Sequence, residues 1–209
     1  MALINPLSVQ GFLLICEEKG FTAVAQSASA SQVGKNFIYG AKKAGITLVN
    51  FVRRAEQAEL LKGLGAEIVI DKSQEGWEEE ATKILAENKV QAYFDPLGGP
   101  DGGKIISLLP SNTWIYLYGC LTSKPLEVNV GDVVLRGKQI LGFYMNKELS
   151  DPERAKKIFA NTFENLSSGV FKSEIAKRFP HEKFEEALEY YKNWAAKGKV
   201  LLQNPNFDN

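Results

Sequence analysis

Metal-binding side chains are scarce in this chain of 209 residues, which contains one histidine and two cysteines. A zinc site takes about three or four protein ligands, mostly histidine and cysteine. The sequence could supply them only with several carboxylates, so we expect no metal site. The cysteines, Cys16 and Cys120, lie far apart in apolar stretches, which favours buried, reduced thiols over a disulfide bond.

Long hydrophobic runs and an excess of one charge are also lacking. No run reaches the roughly 18 apolar residues of a membrane-spanning helix, and Glu17 and Glu18 follow the first short apolar run, unlike a signal peptide. Lysine plus arginine and aspartate plus glutamate both number 25, so the formal net charge is zero. We therefore expect a soluble protein with no nucleic-acid partner and no membrane insertion.

The glycine-rich motif of dinucleotide-binding folds, G-x-G-x-x-G, is incomplete in this chain. The corresponding segment, 28–34, is A-S-A-S-Q-V-G, and Gly34 is the one glycine retained. Counting back from Gly34, Ser29 and Ser31 occupy the positions of the first two glycines. The motif alone is weak evidence for a nucleotide site.

The residues around this segment nevertheless have the order of a βαβ unit. Residues 23–26 predict a short strand, a helix begins at Gly34 and stops at Gly45, and residues 46–52 predict the next strand. The turn before the helix has small side chains, so a ligand can approach the backbone closely. The N-terminus of such a helix offers unpaired N–H groups and a partial positive charge to a phosphate.

Two arginines, Arg53 and Arg54, follow the second strand of this unit. A NAD site has an acidic residue about 20 residues beyond the turn, whereas a NADP site has arginine there for the 2′-phosphate. We therefore expect NADPH to be preferred over NADH, with no carboxylate competing for the arginines. The alternative is that both arginines are solvated residues at a strand end.

Short apolar strands and amphipathic helices alternate along the rest of the chain. This order predicts an α/β fold with a Rossmann-like, doubly wound parallel sheet, in which ligands bind beyond the carboxyl ends of the strands. Asn5 is a candidate N-cap of the first helix. The further predicted strands are 67–70, 90–94, 113–118, 139–145 and 199–203, and the further predicted helices are 5–19, 56–64, 77–88, 102–109, 152–168 and 182–197.

Eight short motifs between Ile4 and Gln203 resemble those of one enzyme family. They are NPLS, VAQSASASQVG, VRR, LGAEIVID, YFDPLGG, YLYG, GFYM and GKVLLQ. In this order they resemble the nucleotide-binding half of the zinc-free medium-chain dehydrogenase/reductases, most of all the mitochondrial 2-enoyl thioester reductases and next the quinone oxidoreductases. LGAEIVID and GKVLLQ are common to the superfamily, so the serine-bearing turn and Arg53 carry the likeness to enoyl reductases.

The resemblance implies NADPH as the cofactor. The turn would hold the pyrophosphate, Arg53 the 2′-phosphate and Lys199 another part of the cofactor, while Asn5 and two aromatic segments would surround the nicotinamide. The cofactor-binding residues implied are Asn5, Ala30, Ser31, Gln32, Val33, Gly34, Arg53, Arg54, Tyr118, Gly119, Cys120, Leu121, Phe143, Tyr144, Met145 and Lys199.

Two of these residues depart from the family. Gln32 stands where the family usually has glycine, which adds bulk beside the pyrophosphate, and Arg54 stands where the enoyl reductases tend to carry an acid. No catalytic residue is implied in this chain, because the family's proton-donating tyrosine belongs to a domain that precedes the NPLS segment. The remaining candidates are expected to be structural: Tyr116, Tyr118 and Tyr144 in the core and His181 at the surface.

Three hypotheses about function follow from the resemblance. In the first, the chain, 1–209, is the NADP-binding domain of a 2-enoyl thioester or quinone reductase and is separate from its catalytic half. In the second, it is a catalytically silent homologue that serves as a structural or assembly subunit. In the third, it is half of an enzyme that another chain completes. We expect the isolated chain to be inactive, and a location in the mitochondrial matrix or cytoplasm. The predicted parts are a first helix (1–20), a nucleotide-binding core (21–150), C-terminal helices and a strand (151–203) and a tail (204–209).

Apolar segments near both ends are expected to lack a covering surface. In the family the last helix and strand pack on the catalytic domain, so 6–16 and 200–202 would be uncovered here. By resemblance, 139–145 is the last strand of the sheet and the usual dimer seam. We expect a homodimer through 139–145 or a larger assembly that covers 6–16 and 200–202; the alternative is that the ends fold back on the sheet.

Overall fold

Six short strands form the central sheet of the computed structural model, which describes residues 3–204. They are β1 (Ala23–Gln26), β2 (Thr47–Val52), β3 (Ile68–Asp71), β4 (Ala92–Asp95), β5 (Trp114–Leu117) and β6 (Gln139–Gly142). Neighbouring strands are parallel, in the order β3-β2-β1-β4-β5-β6. The direction of winding changes between β1 and β4, and a crevice forms beyond the carboxyl ends of strands at such a point.

Helices cover both faces of this sheet, and a small second sheet follows them. The helices are α1 (Ile4–Lys19), α2 (Gln32–Lys43), α3 (Ala55–Gly63), α4 (Trp77–Glu87), α5 (Gly99–Leu108), α6 (Val130–Val134), α7 (Met145–Glu148), α8 (Pro152–Ser167) and α9 (Phe184–Trp194). The second sheet pairs β7 (Ile175–Pro180) with β8 (Lys199–Gln203) in parallel. The sequence did not predict β7.

The core lies on both faces of the central sheet because successive side chains of a strand point to opposite faces. In β4, Phe94 packs against Phe12 and Phe37 on one face, with ring centroids 4.7 and 5.3 Å apart. Its neighbour Tyr93 packs against Phe51 on the other face at 6.5 Å. The two buried clusters confirm the predicted doubly wound α/β fold.

Several predicted boundaries were wrong by a few residues. The helix α1 begins at Ile4, and its N-cap Leu3 makes no side-chain hydrogen bond, so Asn5 is not the cap. The helix α2 begins before Gly34, because Ser31 is the N-cap and its Oγ accepts a hydrogen bond from the Gly34 N–H at 3.1 Å. Gly45, in the left-handed conformation with φ 68°, follows the end of α2 as predicted.

The apolar segment 6–16 does not lack cover, contrary to the prediction. The helix α1 packs between α2 and α8, and its residues from Pro6 to Cys16, except Ser8, are buried. Burial raises the pKa of the Cys16 thiol to about 12, as suits an unreactive core cysteine. In β8, Leu202 is 46 % exposed although the strand is paired.

The prediction that the apolar face of α9 is buried is also largely wrong. Among its apolar residues Ala187 is buried, whereas several large side chains remain exposed. The exposed ones are Phe184, Leu188, Tyr191 and Trp194. The spacing of the apolar residues therefore predicted the helix correctly, but the part of the chain that the structure describes does not cover the apolar face of α9.

The edge strand β6 is fixed by a buried lysine. Lys138 Nζ donates to Asp132 at 2.7 Å and to the Ile106 carbonyl at 2.5 Å, and Arg136 donates to the Leu109 carbonyl at 2.6 Å. These donors bind carbonyl groups at the C-terminal end of α5, of which the Ile106 carbonyl also accepts a hydrogen bond from the Leu109 N–H at 3.3 Å. Burial lowers the pKa of Lys138, and the hydrogen bond to Asp132 opposes that shift. The start of β6 is thus tied to α5.

Within residues 3–204, no helix has both the length and the hydropathy that crossing a lipid bilayer requires.

Candidate functional site

A cleft of about 510 Å³ opens beyond the carboxyl ends of β1 and β2. This is the edge where ligands bind in parallel α/β sheets. Of the predicted cofactor-binding residues, the cleft is lined by Asn5, Ala30, Ser31, Gln32, Val33, Arg53, Leu121 and Lys199. Sequence reasoning pointed to the turn that contains Ser27, Ala28 and Ser29 but did not count these three among the cofactor-binding residues. It did not include the other lining residues, which are Phe51, Val52, Gln57, Lys72, Leu97, Thr122, Tyr191, Ala196 and Gly198.

The turn between β1 and α2 forms the floor of the cleft. Ala28 has a left-handed backbone with φ 50°, which turns the chain sharply after β1. A Cβ added to Gly34 would lie 2.3 Å from the Ser29 carbonyl oxygen, so the helix can approach the turn this closely only with glycine. The first N–H groups of α2 have no partner within the helix and can bind an anion.

Gln32 lines the cleft, and its side-chain amide bonds to the backbone of residues 172–174. Its Nε2 donates to the Lys172 carbonyl at 2.5 Å, and its Oε1 accepts from the Glu174 N–H at 3.3 Å. The buried Lys35 pairs with the Glu174 carboxylate at 2.7 Å, and Asn36 accepts from the Lys172 N–H at 2.9 Å. We call these contacts of Gln32, Lys35 and Asn36 with residues 172–174 the α2 clamp.

The α2 clamp positions the opposite wall of the cleft. The Glu174 carbonyl accepts a hydrogen bond of 2.7 Å from the N–H of Lys199, the first residue of β8. Gly198 and Lys199 line the cleft opposite the turn. Two elements far apart in sequence, the turn before α2 and the start of β8, therefore both line the cleft and are joined through residues 172–174.

Arg53 and Lys72 form a positively charged corner where β2 and β3 end. Both line the cleft, whereas Arg54 does not. Lys72 Nζ lies 2.8 Å from the Asp101 carboxylate. The hydrogen bond from Lys72 lowers the pKa of Asp101, with smaller effects of the charges on Lys72, Arg53 and Lys124. Asp101 reaches this corner from α5 and pairs there with Lys72.

A buried carboxylate at the end of β4 holds the loop beside the cleft. Asp95 accepts hydrogen bonds from Ser27 Oγ, from Tyr93 OH at 3.2 Å, and from the Leu97 and Gly98 N–H groups at 3.1 and 2.9 Å. Burial first, and then the charge of Asp95, raises the pKa of Tyr93 well above its ordinary value. The network joins Ser27 to Leu97, both of which line the cleft.

Most residues predicted to surround the nicotinamide do not line this cleft. Tyr118 packs on Phe12 with ring centroids 4.8 Å apart, and its pKa is raised by burial. Phe143 is buried against α1, close to Gly11 with Met145. The residues absent from the cleft lining are Gly34, Arg54, Tyr118, Gly119, Cys120, Phe143, Tyr144 and Met145.

Three further predictions about these side chains have different outcomes. Cys120 is exposed, so the expectation of two buried thiols was wrong for it. Tyr116 is buried, as predicted, but Tyr144 lies outside a strand and is 65 % exposed. His181 is exposed at the surface, as predicted.

A family model described as "Zinc-binding dehydrogenase" matches residues 33–164. The chain belongs to the zinc-binding dehydrogenase family. A zinc ion does not fit the described part of this family member, because residues 3–204 contain no group of three or more histidine, cysteine, aspartate or glutamate side chains that could hold a metal.

Relatives within this dehydrogenase family confirm the resemblance to reductases. The mitochondrial enoyl-[acyl-carrier-protein] reductase of Dictyostelium discoideum is 28% identical over 179 residues, 79% of this chain and 49% of that protein. The reductase of the same name from Caenorhabditis elegans is 29% identical over 184 residues, 83% of this chain and 52% of that protein. The chain thus spans about half the length of the curated relatives it matches.

Solved structures of the family share the fold. The Escherichia coli quinone oxidoreductase in complex with NADPH superimposes with a TM-score of 0.81 at 21% identity, over 95% of this chain and 62% of that one. At this identity the likeness confirms the architecture of the dehydrogenase domain.

Proposed function

We propose that this chain binds NADPH as the nucleotide-binding part of an oxidoreductase that reduces the double bond of 2-enoyl thioesters by hydride transfer. The observation that carries the proposal is the cleft itself, in which the N-terminus of α2 and the guanidinium of Arg53 stand at neighbouring strand ends. The two enoyl reductases described above support this substrate class. Their mitochondrial names favour the matrix over the cytoplasm as the location.

Each part of the cleft has a role in this proposal. The backbone from Ala30 to Val33, backed closely by Gly34, binds the pyrophosphate, and Arg53 binds the 2′-phosphate. Asn5 and Leu121 line the cleft on the nicotinamide side, and Lys199 reaches the cofactor from β8. The segments 118–120 and 143–145, which do not line the cleft, are proposed to complete the surroundings of the nicotinamide. NADPH supplies the hydride when bound. The chain's own residues bind and orient it.

Changing Arg53 to Ala is expected to weaken NADPH binding by roughly 10- to 100-fold, because a charge-assisted hydrogen bond to the 2′-phosphate is lost. NADH affinity should change little, since NADH has no such phosphate. Isothermal titration calorimetry with both cofactors measures the two effects. Arg54→Ala is the matched control, because Arg54 is the neighbouring arginine but does not line the cleft. Equal affinity of the unchanged protein for both cofactors would contradict the proposal.

A structural or assembly subunit is the second candidate function. The observation that favours it is the exposed apolar surface on α9, where Phe184 and Trp194 are 54 % and 48 % exposed. A surface of this kind usually binds another protein. The two candidates differ in one measurable property, because a subunit that has lost its enzymatic role need not bind NADPH.

We expect a homodimer in solution, formed by β6 of two copies. The N–H groups of Gln139 and Phe143 bond to β5, so alternation along the strand leaves the Ile140 N–H on the open edge. Ile140→Pro removes that donor without removing a bond to β5, and it should convert the dimer to a monomer. Light scattering at micromolar concentration measures the mass.

The variant Leu202→Lys serves as the comparison for this experiment. Leu202 is exposed on β8, at the other surface where a partner was expected. A change of mass with Leu202→Lys but not with Ile140→Pro would favour a larger assembly that covers 200–202. A monomer mass for the unchanged protein would refute both forms of association.

A further inference from the structure

The charged corner of the cleft has an unusual composition. Lys72 lines the cleft, and its side chain is only 10% exposed, although its partner Asp101 is 61% exposed. Arg53 lines the same corner. Lys124 lies against the start of α5, with its Cβ 3.5 Å from the place that a methyl group on Gly99 would take. One carboxylate therefore stands among three cations.

The fold brings these charges together from separate elements. Arg53 follows β2, Lys72 follows β3, and Asp101 lies in the first turn of α5. The ends of neighbouring parallel strands meet at one edge of the sheet, so the two cations share that edge. Lys72 Nζ lies 2.8 Å from the Asp101 carboxylate, and the hydrogen bond from Lys72, with the charges of Lys72, Arg53 and Lys124, lowers the pKa of Asp101. The corner keeps an excess of positive charge, as an anion site requires.

We propose that Asp101 is a specificity-determining residue, which sets how strongly the cleft distinguishes NADPH from NADH. Asp101 holds the Lys72 ammonium at the cleft wall, and the 2′-phosphate of NADPH competes with this carboxylate for the same ammonium. The 2′-hydroxyl of NADH carries no charge and does not compete for the Lys72 ammonium. The inference rests on the proposed binding of NADPH.

The direction in which substitution of Asp101 changes NADPH affinity distinguishes competition with the phosphate from a purely structural role. If Asp101 only positioned Lys72, every substitution of Asp101 would weaken NADPH binding. If Asp101 competes with the phosphate, removing its negative charge while keeping an oxygen acceptor strengthens NADPH binding. Asp101→Asn makes that change, because the amide oxygen can still accept a hydrogen bond from Lys72.

The test is calorimetric titration with NADPH, NADH and the fragment 2′,5′-ADP, which needs no nicotinamide site. Asp101→Asn is expected to raise the affinity for NADPH and 2′,5′-ADP about 3- to 10-fold, more at low salt, and to leave NADH affinity unchanged or lower. Lys72→Gln is expected to weaken NADPH binding, and in the double variant the effect of Asp101→Asn should disappear.

Glu78→Gln is the matched control for this test. Glu78 pairs with Lys104 at the same distance of 2.8 Å, but Lys104, unlike Lys72, does not line the cleft. If Asp101→Asn leaves the ratio of NADPH affinity to NADH affinity unchanged or lowers it, the inference is overturned, even if the unchanged protein prefers NADPH. If the unchanged protein binds neither NADPH nor 2′,5′-ADP, the proposed function is overturned, and this inference with it.

Discussion

Gly34→Ala is expected to abolish NADPH binding and to lower the melting temperature. The added methyl group would lie 2.3 Å from the Ser29 carbonyl oxygen and 2.6 Å from the Ser29 Cα. Both atoms are backbone, so the turn and the helix must move apart. Overpacking of this kind costs about 1–3 kcal/mol, and the melting temperature falls by roughly 2–4 °C per kcal/mol for a chain of this size. The same movement displaces the N–H groups that would bind the pyrophosphate.

The control is Gly63→Ala, at the end of α3. No atom lies within 4 Å of the place that its methyl group would take. Alanine there should leave the melting temperature unchanged or slightly raised, and cofactor affinity unchanged. Calorimetry and thermal unfolding measure both properties. A Gly34→Ala protein with normal affinity and stability would mean that the turn adapts without loss.

The isolated chain is expected to oxidise NADPH no faster than trace with crotonyl-CoA or a quinone, although it binds the cofactor. Leu121, on the side of the cleft assigned to the nicotinamide, is 71% exposed. Hydride transfer is accelerated when the acceptor is held in position and water is excluded, and an exposed rim does neither. The rate is measured from the loss of NADPH absorbance.

A calorimetric titration of the same preparation serves as the control, since it shows that the cleft can bind NADPH. Robust turnover with crotonyl-CoA would show that the residues of this chain alone complete an active site. A preparation that binds no NADPH would instead favour the structural or assembly role.

Local patterns in the sequence were sufficient to predict the central sheet. Each strand is a short run of apolar and β-branched or aromatic residues bounded by a polar or glycine residue, and such runs predict buried parallel strands. Gly34 was identified because the motif requires close packing of the helix on the turn. Arg53 was identified because its distance from the turn is set by the geometry of one βαβ unit.

Contacts between distant segments could not be predicted in this way. Gln32 bonds to Lys172, which is 140 residues away, and Lys72 pairs with Asp101, which is 29 residues away. Neither pair leaves a periodic signal in the sequence. Lys72 could have been suggested by its place directly after β3, where strand-end residues meet the cleft. Asp101 has no comparable signal.

The strand β7 and the helix α9 show two other limits of predicting structure from sequence. The sequence of β7, IAKRFP, contains a proline and two cations, and it forms a strand because β8 pairs with it. The apolar spacing of α9 predicted its amphipathic face correctly. Periodicity indicates which side of a helix is apolar, but it does not indicate what covers that side.

The α2 clamp makes the small C-terminal sheet part of one cooperative unit with the floor of the cleft. Residues 172–174 directly precede β7 and bond to α2, so subglobal unfolding of β7 and β8 that includes these residues also disturbs the first turn of that helix. By thermodynamic linkage, a ligand bound only when this turn is intact adds its binding free energy to the cost of opening, about 2.7 kcal/mol at a concentration of 100 times Kd. Occupancy of the cleft is thereby linked to the stability of β7, none of whose residues lines the cleft.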